Sequence, residues 1–138
     1  MNKLRGKIRE TMTGDATLAA LLGAATRVYP GWPDREVPLT AALPAYICCE
    51  THKLARSGTV ANAEGQSYRL VLHVFGITEP VCWQVSDRLE TLFHGQRLLT
   101  AAKAVMTIVA GTASIVPEPS AGAHHLVQEF SLSNAFTR

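Results

Sequence analysis

The sequence is short of charge. Asp, Glu, Lys and Arg make up 17% of 138 residues, against about 25% in an average globular chain. The deficit is even-handed, because 13 basic and 11 acidic side chains leave a formal net charge of +2. That near-neutrality excludes a broad electrostatic footprint for nucleic acid or an anionic membrane, and it favours self-association. Cysteine is sparse and odd in number, at Cys48, Cys49 and Cys82. Three thiols do not make a secreted disulfide framework; they read as reduced, partly buried groups. No apolar run approaches the ~20 residues of a membrane span. Hydrophobic residues nevertheless reach 47%, which excludes intrinsic disorder. The length suits one domain, residues 1–138, with a core of its own.

Lys3, Arg5, Lys7 and Arg9 precede an apolar run over residues 16–25, a superficial copy of a signal peptide. Glu10 and Asp15 interrupt the basic stretch, and alanine dominates the run. A capped helix explains the pattern better: Asp15 as N-cap, Leu18, Leu21 and Leu22 on one face, Gly23 as the stop. Before it, Leu4, Ile8 and Met12 recur every four residues, which predicts an amphipathic helix over 2–12. Residues 28–33 are turn-rich, and Pro30, Pro33, Pro38 and Pro44 mark an extended connector.

Residues 45–52 predict a strand, and 53–66 a long exposed polar loop, a length that is uncommon unless functional. Residues 67–77 alternate, with Tyr68, Leu70, Leu72 and Val74 on one face. Thr78, Glu79 and Pro80 start a helix, and Cys82, Val85, Leu89, Leu92 and Phe93 form its apolar stripe up to Gly95. Trp83 lies about 100° off the middle of that stripe. Residues 104–116 predict a strand with a bulge at Gly111, and 124–133 its hairpin partner, with Gln128 breaking the apolar side. The expected fold is α+β, a mostly antiparallel four-stranded sheet with two to three helices packed on one face.

Catalytic context is missing. The sequence contains no G-x-S-x-G elbow, Walker loop, H-E-x-x-H or C-x-x-C. His124 and His125 face opposite sides of a strand and cannot share one metal ion from one chain. His73 mid-strand and His52 at a strand end have bland structural readings, and His94 suits a helix C-terminus. Arg88 with Asp87 and Glu90 suggests a solvated, salt-laced helix face. Lys53 and Arg56 form a weak basic cluster without interleaved aromatics.

Taken in order, Gly14-Asp15-Ala16-Thr17-Leu18-Ala19-Ala20-Leu21-Leu22-Gly23, Arg27-Val28-Tyr29 and Leu43-Pro44-Ala45-Tyr46-Ile47 are followed by Leu70-Val71-Leu72-His73-Val74-Phe75-Gly76. Val85-Ser86-Asp87-Arg88-Leu89 and His125-Leu126-Val127-Gln128-Glu129-Phe130-Ser131-Leu132 complete the series. The series resembles the tail-terminator, or tail-completion, proteins of long-tailed bacteriophages and prophages. That resemblance implies a structural virion protein, made in the bacterial host cytoplasm. It implies a ring, typically a hexamer, that caps the head-proximal end of the tail tube, stops polymerisation and docks the head–neck connector. The implied partners are sister copies, the tube protein and the connector proteins, with genomic DNA passing through the ring without sequence-specific binding. No catalysis, cofactor, metal or membrane is implied. In that setting the 53–66 loop, with Lys53, Leu54, Arg56, Val60, Asn62 and Glu64, is the expected tube or partner contact. Trp83 is a candidate subunit-interface residue.

Three other readings compete. One is a neck or minor tail component. Another is a small cytosolic enzyme using Cys48 or Cys49 with His73, which requires a lowered thiol pKa. The third is a plain ligand-binding α+β domain.

Overall fold

The computed structural model describes residues 2–53, 67–99, 105–116 and 123–134. In chain order the elements are helix α1 (Asn2–Thr13), helix α2 (Ala16–Leu22), a 3-10 turn (Ala25–Arg27), strand β1 (Val28–Tyr29), β2 (Ala45–Lys53), β3 (Ser67–Gly76), helix α3 (Glu79–Phe93), β4 (Arg97–Leu99), β5 (Val105–Val116) and β6 (His124–Asn134). The sheet order is β1-β2-β3-β6-β5-β4.

The α+β class and the mostly antiparallel sheet hold, but the expected four strands are six among the described residues, and one pair is parallel. The two additions are short edges. β1 runs parallel to β2, with Val28 opposite Ile47 and Tyr29 opposite Cys48. β4 pairs antiparallel to the start of β5. β1 stops after two residues because Pro30 has no N–H to offer the ladder. Neither edge is long enough to show a periodicity. The four long strands are antiparallel neighbours, and β5 carries its bulge between Ala110 and Ala113, as Gly111 suggested.

The helix ends follow from capping. Asp15 accepts the Leu18 N–H at 2.8 Å, and Gly23 closes α2 in the left-handed region at φ 93°. A Cβ there would lie 2.4 Å from the Ala42 carbonyl, so the position admits only glycine. Thr78 caps α3 by accepting the Val81 N–H.

All three helices cover one face of the sheet. Ile8 and Met12 of α1, Leu18 and Leu22 of α2, and Val85, Leu89 and Phe93 of α3 are buried there with Ile47, Leu70, Leu72, Val74, Leu126 and Phe130. Phe93 meets Phe130 edge to face at 5.6 Å. No described helix is long and apolar enough to cross a membrane.

The break at Gln128 has a cause. Its side chain is buried on the helix side, where Ser86 of α3 donates a 2.5 Å hydrogen bond to its amide oxygen. Ser86→Ala strands that oxygen without water and should cost about 1–3 kcal/mol. Adding Gln128→Leu should recover most of the loss. Chemical denaturation of the four proteins checks this, and simply additive losses would contradict the pairing.

Asp15 does double duty. Besides capping α2, it takes a bidentate pair from Arg88, at 2.9 Å from Nε and 2.7 Å from the second nitrogen. Arg88 therefore ties α3 to α2 and does not belong to a solvated face with Asp87 and Glu90. The Arg88 hydrogen bonds hold the Asp15 carboxyl below its ordinary range, helped by the Leu18 N–H and the Arg88 charge, against the opposing effect of burial. A carboxyl whose pKa falls on folding stabilises the fold above its unfolded pKa, near 3.9. That stabilisation disappears as pH falls through the lower folded value. The melting midpoint should therefore drop on acidification below about pH 4. Asp15→Asn should melt lower at neutral pH and decline less on acidification; a parallel pH profile would count against this role.

Candidate assembly surface

Strand alternation puts a second residue set on the helix-free face. Along β2 it is Tyr46, Cys48, Glu50 and His52; along β3, Arg69, Val71, His73 and Phe75; along β6, His125, Val127, Glu129 and Ser131. The β1–β2 connector folds against the first part of this face. Trp32 lies over His73 with ring centroids 4.8 Å apart and meets Phe75 at 5.8 Å. Beneath it, Tyr46, Phe75 and His125 stack across three strands, at 4.9 Å and 4.3 Å.

A polar chain runs through the same patch. His73 Nε2 is 2.5 Å from Glu50 Oε1, and His73 Nδ1 is 2.8 Å from His125 Nε2. His52 approaches the other Glu50 oxygen at 3.3 Å. A carboxylate only accepts, so His73 donates through Nε2. With neutral His73, Nδ1 then accepts from His125 Nε2–H, a tautomer assigned by the network. His125 and His124 do face opposite sides: His125 is buried in this patch and His124 is exposed. His94, at the end of α3, accepts the Ala110 N–H through Nδ1.

The thiol in this arrangement is not activated as a nucleophile. Cys48 lies directly opposite His73 across the β2–β3 ladder, but burial, reinforced by the Glu50 charge, pushes its thiol up to about 12. Burial likewise raises Cys49 to about 12 and Cys82 to about 11. A thiol enzyme needs the opposite shift. No group of three metal-ligating side chains occurs among the described residues.

The β5–β6 half of the face is different in character. Val109 is 46% exposed opposite the exposed Ser131, and Ser114 and Ser133 are exposed elsewhere along the same two strands. Its charges are self-compensated, with Arg69 3.8 Å from Glu129 and Thr112 donating to Glu129 at 3.0 Å. Such a surface of small, weakly charged side chains loses little solvation on contact. Beyond β4, the edge of β5 from Gly111 to Val116 has no strand partner among the described residues.

Of the sequence-predicted contact residues, Lys53 and Trp83 lie among the described residues. Lys53 is the last residue of β2, its backbone opposite Tyr68. Leu54, Arg56, Val60, Asn62 and Glu64 lie outside the described residues. Trp83 is on α3, in the helix layer, and 38% exposed. The sequence analysis missed the Glu50–His73–His125 chain. Each sits on a strand legible in the sequence, but nothing local linked positions so far apart.

The profile of the tail completion protein gp17 family matches residues 6–133, which takes in every long strand and α3. The chain belongs to that family. Membership makes it a structural protein of phage-type tails. The fold is shared with a chain of the virion of a native gene transfer agent particle. That chain is 18% identical, with 96% of this chain and 95% of that one covered at a TM-score of 0.75. Another solved chain is 16% identical over 80% of each, at a TM-score of 0.47, and carries no argument. No curated protein matches the sequence.

Proposed function

We propose that the protein caps the head-proximal end of a tail tube as an oligomeric ring, ends tube polymerisation, and offers the docking surface for the head–neck connector. Family membership over nearly the whole chain carries this reading. Physical features support it. A closed ring joins one patch to a different patch on the next copy, and the protein has two unlike surfaces, a helix layer bearing Trp83 and a helix-free sheet face around Val109. The protein is a virion component, assembled in the host cytoplasm from sister copies. The ring is a hexamer, contacts the tube through the 53–66 loop, and lets genomic DNA through without reading its sequence. It makes and breaks no bonds and uses no cofactor.

Size-exclusion chromatography with light scattering, with and without tube protein, tests the ring. Six copies per tube end are expected. A strictly monomeric protein that ignores the tube contradicts the proposal.

A further inference from the structure

Beyond Tyr29, the outer edge of β2 over residues 49–53 has no strand partner among the described residues. Such an edge is a template for an added strand. Next to it lies a cleft of about 20 Å³ between α1 and the sheet, floored by Ile8 and Leu70. That volume holds one water-sized group. Thr51 lines the cleft, and its Oγ1 is shielded from solvent without a hydrogen-bond partner among the described residues. A buried hydroxyl left in this state is costly.

Two cations stand at the same cleft. Arg5 and Arg9, one turn apart on α1, both line it. Arg9 Nε donates to the Val28 carbonyl at 3.4 Å, and Arg5 to the Pro30 carbonyl at 3.5 Å. Neither is in an ion pair among the described residues, whereas Lys7, Arg69 and Arg88 are. Backbone carbonyls accept from both guanidinium groups, and no carboxylate among the described residues pairs with them. One carboxylate oxygen fits both the charge and the size of the cleft, and Arg binds a carboxylate through paired donors.

We propose that this edge accepts an extended acidic segment of another protein, which adds a strand alongside residues 49–53 and places one carboxylate between Arg5, Arg9 and Thr51. Backbone pairing supplies affinity and the seated side chain supplies choice. A second copy of this chain is a poor donor. Its own open edge, Gly111-Thr112-Ala113-Ser114-Ile115-Val116, carries no acid, and the short β4 strand carries Arg97. The inference does not depend on the ring.

The test uses the full chain, isotope-labelled for NMR. The probe is a capped heptapeptide that alternates threonine and valine around a central glutamate. Saturable binding should shift the amides of residues 49–53 and the side-chain Nε–H signals of Arg5 and Arg9. Replacing the central glutamate by glutamine should weaken binding ~10-fold, the loss of charge-assisted bonds. Arg5→Gln with Arg9→Gln should do the same, and Thr51→Val should weaken binding while keeping or raising the melting midpoint, since it removes an unsatisfied buried hydroxyl. The peptide contrast needs no variant, so it decides even if a variant misfolds. Equal binding of both peptides, shifts elsewhere, or no binding overturns the proposal. So does acetate binding as well as the peptide, which leaves an anion cleft without a strand. Concentration-dependent shifts of the same edge without peptide would assign it to a second copy and also overturn it.

Discussion

A chain lacking residues 55–65 should fold, melt within a few degrees of the parent, and fail completely to stop tube growth. The folding half follows from register. Lys53 and Tyr68 are directly opposed at the end of the β2–β3 ladder, and the deletion leaves three residues between them. Three-residue connections are among the commoner hairpin loops. None of the described buried core residues is removed. The functional half follows from the proposed contact: without the loop, a capping ring loses its grip on the tube. Thermal melting and electron microscopy of tails read the two halves separately. Normal-length tails would remove the loop from the capping contact.

Arg27→Met should produce the largest loss of stability among the polar substitutions. Arg27 is buried, at 6% exposure, and no carboxylate is paired with it among the described residues. Its guanidinium instead donates to three backbone carbonyls, Ala45 at 2.9 Å, Pro38 at 2.8 Å and Leu43 at 3.4 Å. It also sits 5.8 Å from the centre of the Tyr46 ring. One side chain thus fastens both the proline-rich connector and the start of β2. Hydrogen bonds from a charged donor are individually worth about 1.5–3 kcal/mol, and the connector carbonyls can rehydrate once freed. A net cost of about 3 kcal/mol is expected, which lowers the melting midpoint by about 10 °C in a domain of this size. Trypsin cleavage after Arg35, inside the connector, should accelerate. An unchanged midpoint with unchanged cleavage would show that the connector holds without Arg27.

Much of this architecture was readable from local pattern. Asp15, Gly23 and Thr78 mark helix ends because capping is a contact within a few residues, and β3 announces itself by strict alternation. The break in alternation at Gln128 was visible, and its cause was not, because Ser86 lies 42 residues away. β1 and β4 escaped notice for a different reason. Two or three residues have no period, and they are strands only because β2 and β5 present unpaired backbone to them. Arg27 was quoted within a motif without its role, since backbone carbonyls leave no charge pattern in sequence. Arg88 was placed on a solvated face because its neighbours Asp87 and Glu90 are near in sequence, whereas its partner Asp15 is near only in space. The Glu50–His73–His125 chain required three strands to be aligned before the side chains could meet. Sequence also allowed a thiol enzyme, and it took the burial of Cys48, which keeps the thiol protonated, to weigh against one.

Tail length in particles made without this protein tests the central claim most directly. Host cells carrying the particle genes, with this one deleted, should accumulate tubes of excessive and variable length, and restoring the gene should return a single length. Tails of normal length left unattached to heads would place the protein at the neck, and would contradict the account of a ring that ends tube growth.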